Sequence, residues 1–131
     1  MLLDTYKILT NKQWEKAQET GYIRVPMDEK DGFIHLSTAP QLAATLSFFF
    51  EDHEKLILLE LKQHLFKESL VFEAPFPKDS RSTPFPHLYS ELKVSQIFKV
   101  WEIERGAFIL PKEILLKAEG VWSTIFYPDI A

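Results

Sequence analysis

The 131-residue chain is 46% apolar and 26% charged, the balance of one globular domain with a single core. Its formal charge of −4, from 19 acidic against 15 basic side chains, comes with no run of Lys or Arg and argues against general binding to a nucleic-acid backbone. With no cysteine, the chain has no disulfide, thiolate nucleophile, cysteine-ligated zinc or iron–sulfur cluster.

The opening MLLDTYKILT lacks the basic and apolar regions of a secretory signal, and apolar runs such as LILLEL are too short to cross a bilayer. A cytoplasmic protein with no membrane partner is expected. TYKIL alternates and is rich in β-formers, which predicts a strand over residues 5–9. Thr10 with Gln13 then forms a capping box opening a helix, Trp14 and Ala17 share one face of it, and Gly21 ends it. YIRV reads as a short strand and PMDEKDG as a polar turn with a glycine exit. FIHLS reads as a second substantial strand, with Phe33, His35 and Ser37 on one face and Ile34 and Leu36 on the other. Thr38 with Gln41 is a second capping box, so a helix is predicted over residues 39–50 with Leu42, Leu46 and Phe49 buried.

KLILLELK fits a central strand covered on both sides, and SLVFEA a weaker one. PFPKDSRSTPFP, with four prolines in twelve residues, is expected to be a loop outside any sheet interior or helix. HLYSEL leaves that loop, and QIFKVWEIE is a final alternating strand. After Gly106 a short helix begins at Pro111, and the aromatics of VWSTIFYP are expected to dock on the core. No repeat or internal boundary is visible, so residues 1–131 form one α+β domain.

Only four glycines are present, and the phosphate-loop, dinucleotide-fold, serine-elbow and zinc-helix motifs are all missing. Of the histidines, His53 and His64 sit in charged sequence and read as solvated. His35 shares its strand face with Ser37, just ahead of a helix start where backbone N–H groups favour an anion. His87 leaves the proline-rich stretch with Tyr89 two residues on, a spacing that puts imidazole and phenol on one side of an extended segment. Either histidine alone reads as a buried core residue with satisfied nitrogens; together, in stiff settings, they become candidates for a cleft. Glu73 is a candidate carboxylate partner and Arg81 a candidate anion clamp, each weighed against a plain solvated surface charge.

YKIL, NKQWEKAQETG, DGFIHLSTAPQL, LILLELK, VFE and FPHLYSEL, in this order, resemble domain-of-unknown-function family 952, a family of small bacterial proteins. The resemblance spans residues 5–104 and leaves residues 105–131 as an extension expected to pack on the core. That family is grouped by fold with ADP-ribosyltransferase-like proteins, and FIHLS is similar to the H-x-H-L-S strand of RNA 2′-phosphotransferases. The resemblance implies a split β-sheet core of ADP-ribosyltransferase-like type, two capped N-terminal helices and a short C-terminal helix. It also implies a cleft for NAD or ADP-ribose, with His35 facing the ligand, Ser37 and Thr38 beside it, and Tyr6 or Lys7 on the other wall.

Three functions compete. The first is an ADP-ribosyl- or nucleotide-processing enzyme with His87 or Glu73 as its acid–base group and Tyr89 and Arg81 as further ligand contacts. The second is a non-catalytic module that kept the cleft, and the third a metal-dependent small-molecule enzyme using His35 and His87. Lys7 stands where the transferases usually carry histidine or arginine, and no motif selects a ribose-binding glutamate among Glu73, Glu91, Glu102 and Glu104. Both departures favour the module.

Overall fold

In a computed structural model of the chain, the described residues are 4–50, 52–74, 83–104 and Ile114. The expectations for the Phe49 side chain, for Arg81 and for the segment after residue 104 lie outside the described residues, apart from Ile114, which is buried in the core.

Strand β1, Thr5–Thr10, runs directly into helix α1, Asn11–Thr20. The join is a full capping box: Thr10 Oγ1 accepts from the Gln13 N–H at 3.2 Å, and Gln13 Oε1 accepts from the Thr10 N–H at 2.9 Å. Gly21, at φ 83°, closes the helix. YIRV makes only an isolated bridge, Tyr22 to Lys93, instead of a strand, because Pro26 already begins the next helix.

That helix corrects the expected turn. Helix α2, Pro26–Asp31, starts on a proline whose fixed φ and missing N–H suit a first turn, carries Asp28 and Glu29 at its positive end, and stops at Gly32 with φ 81°. The proline and glycine that signal a turn are equally the start and stop signals of a short helix. No atom lies within 4 Å of where a Gly32 side chain would stand, so Gly32→Ala meets backbone strain alone. We expect a loss of about 1–2 kcal/mol, read as a lower denaturant midpoint at unchanged slope.

FIHLS is also corrected. It divides at Leu36 into β2, Ile34–His35, and β3, Ser37–Thr38, which join different sheets. β3 pairs with β1, placing Ser37 opposite Tyr6, in a four-stranded antiparallel sheet ordered β3-β1-β4-β7. β2 pairs with β6, placing His35 opposite His87, in a three-stranded antiparallel sheet ordered β2-β6-β5. Strand β4 is Lys55–Leu61, β5 is Leu70–Glu73, β6 is Phe85–Leu88 and β7 is Ile97–Glu104.

The end of the proline stretch is therefore a strand, contrary to expectation, and Pro86 sits inside the middle strand of its sheet. Its carbonyl accepts from the Leu36 N–H at 3.1 Å, so the N–H that proline lacks would point to the same side, where β2 has already ended. Only the return bond to Leu36, just past the end of β2, is forgone, and the pairing with β5 on the other side is kept. After Thr38 a 3-10 turn, Ala39–Gln41, leads into helix α3, Leu42–Phe49, which buries Leu42 and Leu46. Gln41 Oε1 accepts from the Thr38 N–H at 3.0 Å, the glutamine half of the expected box.

β4 is the centre of the larger sheet and is covered on both faces. Leu56 and Leu58 pack with Tyr6, Ile8, Leu42 and Leu46, while Ile57, Leu59 and Leu61 pack with Leu9, Ile23, Ile34 and Leu88. The result is a mixed α+β domain of two antiparallel sheets and few helices, with the chain crossing between sheets at Leu36.

Candidate functional site

Where the two sheets meet, a cavity of about 280 Å³ is lined by Tyr6 and Lys7 of β1, His35 of β2, Ser37 of β3, Thr45 of α3, His87 of β6 and Asp28 of α2. Apolar wall is added by Ile8, Val25, Leu36, Phe50 and Phe85.

Asp28 organises the polar side. Its Oδ2 lies 2.7 Å from Lys7 Nζ, and its Oδ1 accepts the His35 N–H at 3.0 Å and lies 2.7 Å from His35 Nδ1. Lys7 Nζ also donates to the His35 carbonyl at 3.0 Å. The Lys7 and Asp28 side chains are 6% and 5% exposed, so both charges are out of water and stabilised by each other. Burial would push the Asp28 carboxyl up; the Lys7 charge and the hydrogen bonds from His35 and Lys7 outweigh it and hold the group below the usual carboxylate range. On the other side of the ring, Asp31 Oδ2 approaches His35 Nε2 to 3.0 Å. The bond between Nδ1 and Asp28 thus orients the imidazole, with its other nitrogen facing Asp31 of the same helix.

A second carboxylate–imidazole pair stands beside the first. His87 Nδ1 lies 2.8 Å from Glu73 Oε1, and Tyr89 Oη donates to the same oxygen at 2.6 Å. These bonds, that from Tyr89 first, hold the Glu73 carboxyl below its ordinary value, and donating to Glu73 pushes the Tyr89 phenol up. Phe33 stacks on His87 with ring centroids 4.0 Å apart and lies 4.6 Å from His35, while the two imidazoles are 5.8 Å apart edge to face. The three rings form a stiff bridge over the join between α2 and the smaller sheet. Ser37 Oγ and Thr45 Oγ1 are 2.8 Å apart.

Of the residues singled out in the sequence, the fold gathers Tyr6, Lys7, His35, Ser37 and His87 around one cavity. Glu73 stands behind His87, and Tyr89 borders a separate hollow on the far side of Phe33. Thr38 is buried next to the cavity without lining it. Asp28, Asp31 and Thr45 went unnoticed, and Phe33 was placed on the face of His35 and Ser37 without a role. The spacing of Asp31 to His35 gave no warning because the two belong to different elements, and only the Pro26 to Gly32 bracket could have announced α2 and its inward-facing Asp28. Among the described residues, no group of three or more His, Cys, Asp or Glu is placed to hold a metal ion, and no helix is long and apolar enough to cross a membrane.

With this geometry in place, residues 8–100 match the family described as Protein of unknown function (DUF952). The chain belongs to that family. The DUF952 chain is also similar to the X-ray crystal structure of protein CC0527 from Caulobacter crescentus, at 31% identity over 88% of this chain and 98% of that one, with a TM-score of 0.72. Against the solution NMR structure of CC0527 the identity is 32%, the coverage 77% and 84%, and the TM-score 0.66. No curated protein matches the DUF952 chain.

Proposed function

We propose that this DUF952 protein binds a nucleotide-type ligand, of the NAD or ADP-ribose kind, by its nucleoside end in the cleft between the two sheets. One observation carries the reading: His35, anchored by Asp28 through its backbone N–H and ring Nδ1, shares the cleft wall with the rings of Tyr6, Phe85 and His87 and with the hydroxyl pair Ser37 and Thr45. Rings suit a heterocycle, and each hydroxyl, having one donor and two acceptor positions, retains capacity for a sugar hydroxyl. A cavity of about 280 Å³ is at the small end of ligand sites, which run from about 300 to 1,000 Å³, so it accepts one ring and its sugar while phosphates stay at the mouth. Two antiparallel sheets split around a cleft are also what an ADP-ribosyltransferase-like core would present. Anchored through Nδ1 by Asp28 and flanked by Asp31, His35 serves as a contact that sets ligand position, the role expected of a binding module.

The test is ligand-induced thermal stabilisation with adenosine, ADP-ribose and NAD. At a concentration of about 100 times Kd, stabilisation of about 2.7 kcal/mol is expected, a shift of several degrees. His35→Ala should abolish the shift and Ser37→Ala weaken it. A folded wild type that responds to none of the three would end the reading.

A further inference from the structure

We infer that a groove opening off the cleft, lined by Lys12 and Lys16 of α1 and by Arg24, takes the diphosphate of the ligand, so that the protein selects nucleoside diphosphates over nucleosides. The inference rests on the nucleoside-type cleft proposed above. The groove, of about 520 Å³, shares Gln13, Val25 and Pro26 with the cleft, so the one continues into the other. The cleft itself offers little to an anion, because its lysine, Lys7, lies 2.7 Å from Asp28 and the two charges cancel. Phosphates left outside the cleft find their cations in the groove.

The charge there runs against that of the chain. The formal total is −4, yet the groove gathers three cations against one carboxylate, Glu29. Lys12 and Lys16 stand one turn apart on α1, with Cβ atoms about 5–6 Å from each other, where like charges repel. Among the described residues neither forms an ion pair. The Arg24 guanidinium lies 4.6 Å over the Tyr22 ring, which orients it. Its contact with Glu91 is long, 3.5 Å, between side chains more than half exposed, and leaves N–H donors for a second anion. Gln13 uses its Oε1 in the α1 cap, so its amide NH2 group stands as a further donor at the junction of cleft and groove. Two adjoining phosphates match cations spaced along a channel, and the planar fork of Arg24 suits one of them bidentately.

All three cations are exposed, so each contact alone is weak and is screened by salt. Selectivity comes from several acting together, and it fades as ionic strength rises. That salt dependence separates phosphate contacts in the groove from the ring and hydroxyl contacts of the cleft, which carry no charge.

The experiment is calorimetric titration of the full chain with adenosine, ADP-ribose and inorganic pyrophosphate, at about 0.01 M and about 0.15 M salt. At low salt ADP-ribose is expected to bind about 10-fold more tightly than adenosine, with most of that margin lost at the higher salt and pyrophosphate alone binding weakly. The double variant Lys12→Gln with Lys16→Gln exchanges exposed residues of similar helix propensity and should fold normally. It should bring ADP-ribose to within about 3-fold of adenosine while leaving the adenosine Kd unchanged. Glu29→Gln, which removes the carboxylate of the groove, should tighten ADP-ribose about 2-fold. Adenosine binding with no gain from the diphosphate would overturn the groove and leave the cleft reading standing, whereas binding of neither would overturn both. A margin that survives the double lysine variant would overturn the assignment of the cations. Pyrophosphate binding as tightly as ADP-ribose would overturn the continuity of groove and cleft in one ligand site.

Discussion

Replacing Asp28 by alanine is expected to destabilise the protein by about 3–5 kcal/mol, the cost of leaving one member of a buried ion pair unpaired. The side chain is 5% exposed and holds Lys7 Nζ together with two nitrogens of His35, so its removal strands a buried ammonium and the His35 N–H in one step. Chemical denaturation gives the number, and a cost below about 1 kcal/mol would mean that water replaces the carboxylate at no penalty. Removing both charges, as Lys7→Met with Asp28→Leu, should recover much of the loss, since apolar replacement of a whole buried pair is often close to neutral. The pH dependence has a definite sign. The folded-state value of Asp28 is depressed, so its contribution is complete above the unfolded value of about 4 and is lost as pH falls below that toward the folded value. The wild type should therefore lose stability below about pH 4 more steeply than Asp28→Asn does.

Leu59→Ala is expected to cost about 2–5 kcal/mol, the range for deleting a buried leucine from a packed core. Leu59 is fully buried at the centre of β4, opposite Lys7 on β1 and Val100 on β7. Its removal opens space below the strand that carries Lys7, so the ligand-induced stabilisation should weaken as well. Val100→Ala, on the edge strand and 46% exposed, is the control and should stay within about 0.5 kcal/mol. Equal effects at the two positions would show that the two-faced central strand is not what holds the sheet together.

The sequence announced the elements that obey one local rule. Thr10 and Gln13 cap α1, Gly21 stops it, and the unbroken apolar run of β4 marks a strand buried on both faces. It misled where one signal has two structural meanings. Pro26 and Gly32 bracket a helix as well as they would a turn, and Pro86 is tolerated in a strand because its missing N–H falls where the neighbouring strand has ended. The division of FIHLS at Leu36 has no local cause at all; it follows from β1 and β6 each claiming part of the stretch. For the site, the histidines were legible from their company, but the carboxylates that orient His35 come from a helix read as a turn.

That division at Leu36 has a mechanical consequence. His35 and Ser37 line one cavity from two different sheets, and a single residue joins them. A chain spans at most about 3.6 Å per residue, so at this corner the two walls are tethered within about 7 Å of each other. Leu36 is itself anchored, 2% exposed and bonded through its N–H to Pro86. Any breathing of the two sheets pivots there, as covers turn about the spine of a book, and the gap widens at the opposite rim. The spacing of His35 and Ser37 is thereby set by the chain itself.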